Sequence, residues 1–334
     1  LVWYATIFFA LNEKINIKYC YYHYQWRKPI NWSILFFLLI WTYWIDVHQN
    51  HFPWWTLPPI IISCVALFLT YKLHQETVFN AVDFPKMTSN RDGLPLSDDC
   101  EIAVIEYNQV TKCYPLDYVI HHHIINDWFL DKMVSLTYCA MCRTIIPFDV
   151  TDIGPLFVGF FKNANMVVAD QKTKTFFQQA TCESIIGKLH PHSLTIIPFQ
   201  ILPWSEVKKL PQKFEIVAVS ENDLRPFTLP IPGIWEKILN SEVTPGLSTT
   251  SRDKTFKART RVIGVLNKHD GCYPVYLKND LVAASIVNNK SLQIVFVNVN
   301  GCINAFNNYI GSLELNLTIE NDYIIDTSNN CKWN

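Results

Sequence analysis

FPWWTLPPIIISCVALFLTY, residues 52–71, holds no charged side chain. A helix needs about 20 predominantly apolar residues to cross the hydrocarbon core of a bilayer. Trp54 and Trp55 at one end, with Tyr71 and Lys72 at the other, have the amphipathic character of interfacial anchors. The stretch reads as a transmembrane helix. Residues 30–45, INWSILFFLLIWTYWI, are also uncharged and carry Trp32, Trp41 and Trp44; this run is shorter and spans with help from its flanks. Residues 1–11, LVWYATIFFAL, read as the tail of a further helix or as an interfacial segment. Buried helices of a soluble protein are the competing reading, and the lack of a charged face on two adjacent segments argues against it. We expect residues 1–73 to form a membrane anchor of two or three transmembrane helices in a lipid bilayer, and a segment of the chain to precede Leu1.

The composition agrees. Charged residues make up 17% of the 334, against roughly 25% in ordinary soluble domains, and the shortfall is concentrated in the anchor. A net charge of -1 gives no electrostatic footprint for nucleic acid. The ten cysteines are scattered, with one close pair, unlike a small disulfide framework. Lys14, Lys18, Arg27 and Lys28 precede the second apolar segment, whereas DVHQNHFP after it has no Lys or Arg. The positive-inside rule alone therefore puts everything after Lys72 on the cytoplasmic side.

Beyond a polar linker, residues 74–99, the pattern changes to short β-rich runs: EIAVIEY, MVSLTYC, RTIIPF, PLFVGFF, NMVVAD, KFEIVAV, RVIGVL and LQIVFVNV. Residues 183–186 and PWSEVKKL, residues 203–210, are the best candidates for short helices. The runs also repeat. VIEYNQVTKCYPLDYVI followed by VSLTYCAMCRTIIPF is echoed by VIGVLNKHDGCYPVYL followed by LQIVFVNVNGCINAF. Cys113-Tyr114-Pro115 then corresponds to Cys272-Tyr273-Pro274, Phe148 to Phe306, and Asp170 to Asp326. The fold class expected is an N-terminal set of transmembrane α-helices followed by a mainly β (α+β) globular part built from two pseudo-repeats. Repeat one covers 100–220, a connecting segment 221–260, and a degenerate repeat two 261–334.

Residues carried by one copy alone are candidates for a site. Copy one ends its second strand in Tyr138-Cys139-Ala140-Met141-Cys142-Arg143, whereas copy two has Phe296-Val297-Asn298-Val299-Asn300-Gly301. The run His121-His122-His123 likewise has no counterpart.

CYPLDYVIHHHIIND, VSLTYCAMCRT, KNANMVVADQKTKTFFQQATCESIIGKL and PWSEVKKLP together resemble, in order and spacing, the bacterial family catalogued as domain of unknown function 3179. The resemblance covers roughly residues 102–220, with a weaker echo in the second repeat, and the anchor is similar to that of a membrane-anchored subgroup. Matched positions are Tyr114, Pro115, His122, Asn126, Asp127, Thr137, Tyr138, Cys139, Cys142, Arg143, Thr144, Gln179, Ile186 and Gly187. The resemblance implies three spans and a β part outside the cytoplasm, in a periplasm or equivalent organellar space; it brings no assigned activity. The chain departs from the family where Gly-Gly is Leu130-Asp131, Gly-Arg is Ile145-Ile146 and paired tryptophans are Phe176-Phe177.

Cys139-x-x-Cys142 ends a strand and is followed by another strand-like run, without the helix N-terminus that stabilises a thioredoxin-type thiolate. It looks like half of a metal knuckle, to which His122, or His123 as its substitute, adds nitrogen for zinc or copper. Arg143 beside the pair favours thiolates. A local disulfide, buried reduced thiols and thiol redox chemistry are the competing readings. No phosphate loop, HExxH or Gly-x-Ser-x-Gly elbow is present in the sequence, and Asp127, Asp131, Asp149 and Asp152 read equally as turn formers. Asn31, Asn289 and Asn316 open formal glycosylation sequons. The sequence thus supports a membrane-tethered metal- or thiol-site protein, with a non-catalytic accessory subunit of a larger membrane complex as the alternative.

Overall fold

Asn16 opens the first long helix, α1 (Ile17–Gln49), by accepting the backbone N–H of Lys18 on its side chain, which satisfies one of the donors left over at a helix start. Asn50 ends it with a left-handed φ of 53°, a C-terminal cap that Asn tolerates better than most residues. The computed structural model describes residues 12–89, 93–225, 237, 241, 255–256, 260–265, 274–299, 301–321 and 323–333. The apolar segment 1–11, Cys272-Tyr273 of the second copy, residues 90–92 of the linker and most of 221–260 lie outside the described residues.

A single 3-10 turn, Trp54–Thr56, leads into α2 (Leu57–Lys72). Pro58 and Pro59 occupy its first turn, where a missing N–H breaks no helical bond. Ile17–Gln49 and Trp54–Lys72 are each long and apolar enough to cross a membrane. The two helices run antiparallel. From Asn31 onward the buried residues of α1 are Asn31, Leu35, Thr42 and Ile45, and their spacings of four, seven and three trace one seam of a helix pair. Across it Asn31 Nδ2 donates to Thr70 Oγ1 at 2.8 Å, and Trp32 Nε1 donates to the Tyr71 hydroxyl at 3.2 Å. The outer faces expose Phe36, Phe37, Tyr43, Ile62 and Phe68.

The first turns of α1 do not follow that pattern. Cys20 and Tyr24 are buried in one cluster with Phe157, Phe160, Val167, Ala169 and Phe176, so the helix begins on the surface of the β structure. A short helix, α3 (Gln75–Val78), completes the junction. Its Glu76 accepts the Tyr24 hydroxyl at 2.8 Å and Lys28 Nζ at 3.1 Å, and pairs with Arg27, which also donates to the Tyr24 carbonyl. Burial pushes the Glu76 carboxyl up, but Arg27 and the Tyr24 hydroxyl outweigh it and hold the group down at about 2. Burial, with repulsion from Arg27, holds His74 neutral down to about 3.

From Val82 the chain is short strands. In order these are β1 (Val82–Asp83), β2 (Met87–Thr88), β3 (Glu101–Tyr107) and β4 (Val110–Pro115), then helix α4 (Leu116–His122). β5 (Ile124–Phe129), β6 (Lys132–Cys139), β7 (Thr144–Asp149), β8 (Leu156–Lys162), β9 (Asn165–Asp170), β10 (Phe176–Gln178), β11 (Ser184–Ile186), β12 (Thr195–Ile196) and β13 (Phe199–Pro203) follow, then α5 (Trp204–Val207) and β14 (Phe214–Val217). The chain divides into two compact units, 1–199 with 203–252, and 200–202 with 253–334. In the first, β5-β6-β7 form the centre of a sheet ordered β1-β5-β6-β7-β12, and β8 to β11 form a second sheet. Alternation sends Met133 and Cys139 of β6 into one core with Phe148, Leu156, Val158 and Phe177, and Val134 and Leu136 into another with Ile105, Tyr114 and Phe129. A strand buried on both faces reads as a continuous apolar run, which is why this segment was legible as β.

Residues 183–186, expected to open a helix, are extended instead: Glu183 bridges Ser193, and Ser184–Ile186 form β11, paired with β10 at Phe176↔Ile186 and Phe177↔Ser184. The edge of β10 needs a partner, and Ile185 and Ile186 suit a strand. PWSEVKKL does contain a helix, α5, with Trp204 buried. The two-residue turn Leu130-Asp131 between β5 and β6 carries Leu130 at φ 57°, a conformation that costs a branched L-residue roughly 1–2 kcal/mol and a glycine little.

The second unit contains β15 (Val262–Gly264), β16 (Val275–Leu277), α6 (Lys278–Ala283), β17 (Ile286–Asn289), β18 (Ile294–Val299), β19 (Cys302–Asn307), β20 (Tyr309–Ile310), β21 (Leu313–Glu314), β22 (Leu317–Glu320), β23 (Tyr323–Asp326) and β24 (Cys331–Trp333). Val295, Val297, Leu315, Leu317 and Ile324 form its core.

Gly187 has φ +133°, and a Cβ there would lie 2.5 Å from the Thr175 Cα. Gly187→Ala is expected to destabilise the first unit by about 2–4 kcal/mol. At Gly154, with φ +85° and open space, alanine is expected to cost only about 1 kcal/mol. Denaturant unfolding of the two variants in detergent checks this, and equal midpoints would contradict it.

Candidate functional site

β6 and β7 pair until Cys139↔Thr144, and residues 140–143 close the turn, with Arg143 in a left-handed conformation at φ 52°. The turn sets the two cysteines in unlike surroundings. Cys139, the last strand residue, faces the core and is fully buried, whereas Cys142 is exposed on the turn. Both are free thiols, in hydrogen-bonding contact with each other. Asn165, the first residue of β9, donates its Nδ2 to Cys142 Sγ at 3.3 Å, and its Oδ1 faces the Ala180 N–H at 3.4 Å.

Beneath the turn lies Gln179, fully buried. Its Nε2 reaches Thr137 Oγ1 at 2.9 Å, the Thr137 carbonyl at 3.3 Å and the Thr144 carbonyl at 3.2 Å. Its own backbone N–H donates to the Met166 carbonyl at 3.1 Å. One amide thus ties both arms of the cysteine hairpin to the neighbouring sheet. Gln179 and Thr144 were among the matched family positions; Asn165, 23 residues from Cys142, had no signal in spacing or motif.

The hydrogen bond with Cys139 is the largest influence on Cys142 and lowers its thiol to about 7; partial burial opposes this, and the nearby Thr144, whose hydroxyl donates to the Cys142 carbonyl at 3.2 Å, the Asn165 amide and a backbone N–H add to it. Cys139 is pushed well above its ordinary value by the same bond and by burial. The donors acting on Cys142 are therefore neutral dipoles, where the sequence had pointed to the charge of Arg143. A thiol near 7 is half ionised at neutral pH, and the thiolate is the reactive species.

The histidines stand differently. His122, on α4, packs its ring against Tyr118 at 4.6 Å and His121 at 4.9 Å between centroids, and burial lowers it below the usual imidazole value. His123 is fully buried with its ring 4.5 Å from that of Phe79 and 6.2 Å from that of Tyr138; burial holds it at about 3. Cys139 and Cys142 are brought together with each other. Among the described residues no group of three or more His, Cys, Asp or Glu side chains is placed to hold a metal ion.

The Asn-Asp pair has structural work. Asn126 donates to Asp83 Oδ1 at 2.7 Å and the Leu156 carbonyl at 2.9 Å, and accepts the Ser135 hydroxyl and the Leu156 N–H, which joins three segments in the core. Asp127 accepts Lys112 Nζ at 2.8 Å and the Tyr114 hydroxyl at 2.7 Å. Asp149 pairs with Lys132 and holds Thr151.

Alkylation of Cys142 with iodoacetamide, followed on its own peptide by mass spectrometry, is expected to rise with pH through a midpoint near 7, because only the thiolate reacts. Cys139→Ala and Asn165→Ala each remove a donor to the thiolate, so both midpoints should move up toward the free-thiol range of about 8.5. An unchanged midpoint in Cys139→Ala would refute the assigned cause.

A search of curated proteins finds no match, and none is found among solved structures. A family model described as "Protein of unknown function (DUF3179)" matches residues 78–334. That range begins after α2 and takes in both units, a wider β coverage than the cysteine and histidine motifs alone indicated. With the greater part of its length matched, the chain belongs to this family of proteins of unknown function.

Proposed function

We propose that the protein is a membrane-tethered thiol–disulfide exchange protein whose β structure lies outside the cytoplasm. One observation carries the chemistry: a fully buried Cys139 ends β6 and an exposed Cys142 lies on the turn that follows, the two free thiols side by side in hydrogen-bonding contact. The exposed member meets the partner and the sheltered member resolves the intermediate. In the first step Cys142 thiolate attacks a partner disulfide; its S–S bond breaks, a Cys142–partner S–S bond forms, and the second partner sulfur leaves as a thiolate. Cys139 then passes its proton to the partner thiolate released in the first step and attacks Cys142 Sγ; the Cys142–partner S–S bond breaks, the Cys139–Cys142 disulfide forms, and the other partner sulfur leaves as a thiolate. The partner gains two electrons and the protein loses two. Run backwards, the same steps oxidise a partner dithiol.

The tether is α1 and α2, whose exposed apolar faces suit lipid. Placement outside the cytoplasm follows the resemblance to the membrane-anchored subgroup and opposes the simple charge count. There an unmetallated pair tends toward the disulfide. The repeat reading gains support from element order. A hairpin, a short helix and two three-stranded meanders run from β3 to β10 and again from β15 to β24, where the extra hairpin β20-β21 stands between the meanders. Val299 pairs with Cys302 across two residues, whereas Cys139 pairs with Thr144 across four, so Cys142 occupies a turn longer in copy one than in copy two. Zinc or copper on Cys139 and Cys142 remains the second reading, with His122 or His123 as the nitrogen ligand after rearrangement, or a third donor from a partner.

Equilibration of the purified protein with glutathione redox buffers tests the proposal. Wild type is expected to form a Cys139–Cys142 disulfide, Cys139→Ser to accumulate a glutathione adduct at Cys142, and Cys142→Ser to form neither. Absence of the disulfide together with about one zinc or copper per chain, lost in both variants, would favour the metal reading; absence of both would leave the accessory-subunit reading.

A further inference from the structure

The length of α1 is more than a bilayer requires. Its 33 residues extend about 50 Å at roughly 1.5 Å per residue, whereas a hydrocarbon core is about 30 Å thick. The surplus lies at the N-terminal end, where Cys20, Tyr24 and Arg27 are buried against β structure and Glu76. Marks of a membrane interface come only after it. Lys28 Nζ stands 4.9 Å from the Tyr71 ring centroid, Trp32 bonds the Tyr71 hydroxyl, and Lys72 ends α2. From Lys28 to Gln49 the helix then extends about 32 Å, close to one hydrocarbon thickness.

The dithiol belongs to the far end of the surplus. Cys142 is held by Asn165, Asn165 faces Lys162 across the β8–β9 turn, and Lys162 Nζ donates to the carbonyl of Asn12, ahead of the start of α1. From Ile17 to Lys28 the helix rises on the order of 15 Å. The active turn is therefore raised by about that height above the lipid interface.

We infer that the exchange partner of Cys142 is a disulfide dissolved in the aqueous phase, and not a quinone or other oxidant carried in the bilayer. The inference rests on the dithiol reading and deepens it by naming the substrate class. A bilayer quinone would have to take two electrons and two protons from the pair, and its headgroup stays at or below the interface. An aqueous disulfide meets an exposed sulfur directly. Polypeptide disulfides and glutathione disulfide share this chemistry, and separate arms of one experiment distinguish them.

The full chain, reduced and reconstituted in phospholipid nanodiscs, is exposed in separate arms to a random-disulfide ribonuclease, to glutathione disulfide, and to a decyl-quinone loaded in the bilayer. Formation of the Cys139–Cys142 disulfide is read by mass spectrometry after alkylation. The expected result is oxidation by one or both aqueous disulfides at least about tenfold faster than by quinone, lost in Cys142→Ser. Quinone oxidation equal to or faster than both would overturn the inference and leave the dithiol reading intact. Inertness in every arm would remove the dithiol reading itself, and the inference with it. A fluorophore on Cys142 gives an independent check: quenching by spin-labelled phospholipid headgroups should be negligible, and strong quenching would contradict the height.

Discussion

A single carboxylate organises the junction between the helices and the β structure of the first unit. Glu76 receives Arg27, Lys28 and the Tyr24 hydroxyl, and burial of that ion is tolerable only because three donors surround it. The junction joins the start of α1, the end of α2 and the β8 region in one piece. It fixes which stretch of α1 is docked against β structure and which stretch turns apolar faces outward, while the contacts of Lys162 with Asn12 and of Asn165 with Cys142 place the cysteine turn near the start of the helix.

The cysteine turn shows how a thiolate is favoured without a helix. A thioredoxin-type site uses the partial positive charge of a helix N-terminus. Here the donors are the buried partner thiol, a hydroxyl, an amide and a backbone N–H. They are presented by strands that Gln179 locks together. Such dipoles act at short range, so the site depends on the register of two sheets more than on the identity of the loop.

His122 and His123 illustrate the limit of adjacency in sequence. A Cys-x-x-Cys and a nearby His run suggested one ligand set. α4 directs His122 toward Tyr118, however, and the left-handed backbone of His123 at φ 65° turns its ring under Phe79. Asn126 and Asp127, equally prominent in the motif, serve as buried hydrogen-bond hubs of the sheet core. Their polarity is structural, since strands buried on both faces leave no water to satisfy an unpaired group.

Hydrophobic pattern by itself determined the two apolar helices, most strands of the β part and the singular character of Cys139-x-x-Cys142, because those features follow from local periodicity and composition. It misassigned residues 183–186, where the need of β10 for an edge partner outweighed local propensity. Tertiary structure alone decided that Cys139 is buried while Cys142 is exposed, that Asn165 and Gln179 serve the pair, and that the beginning of α1 is docked against β structure. Each of these depends on contacts between residues tens of positions apart, such as Asn165 with Cys142, Gln179 with Thr137, and Arg27 with Glu76. Sequence spacing carries no record of such contacts until sheet register and helix packing bring the atoms together.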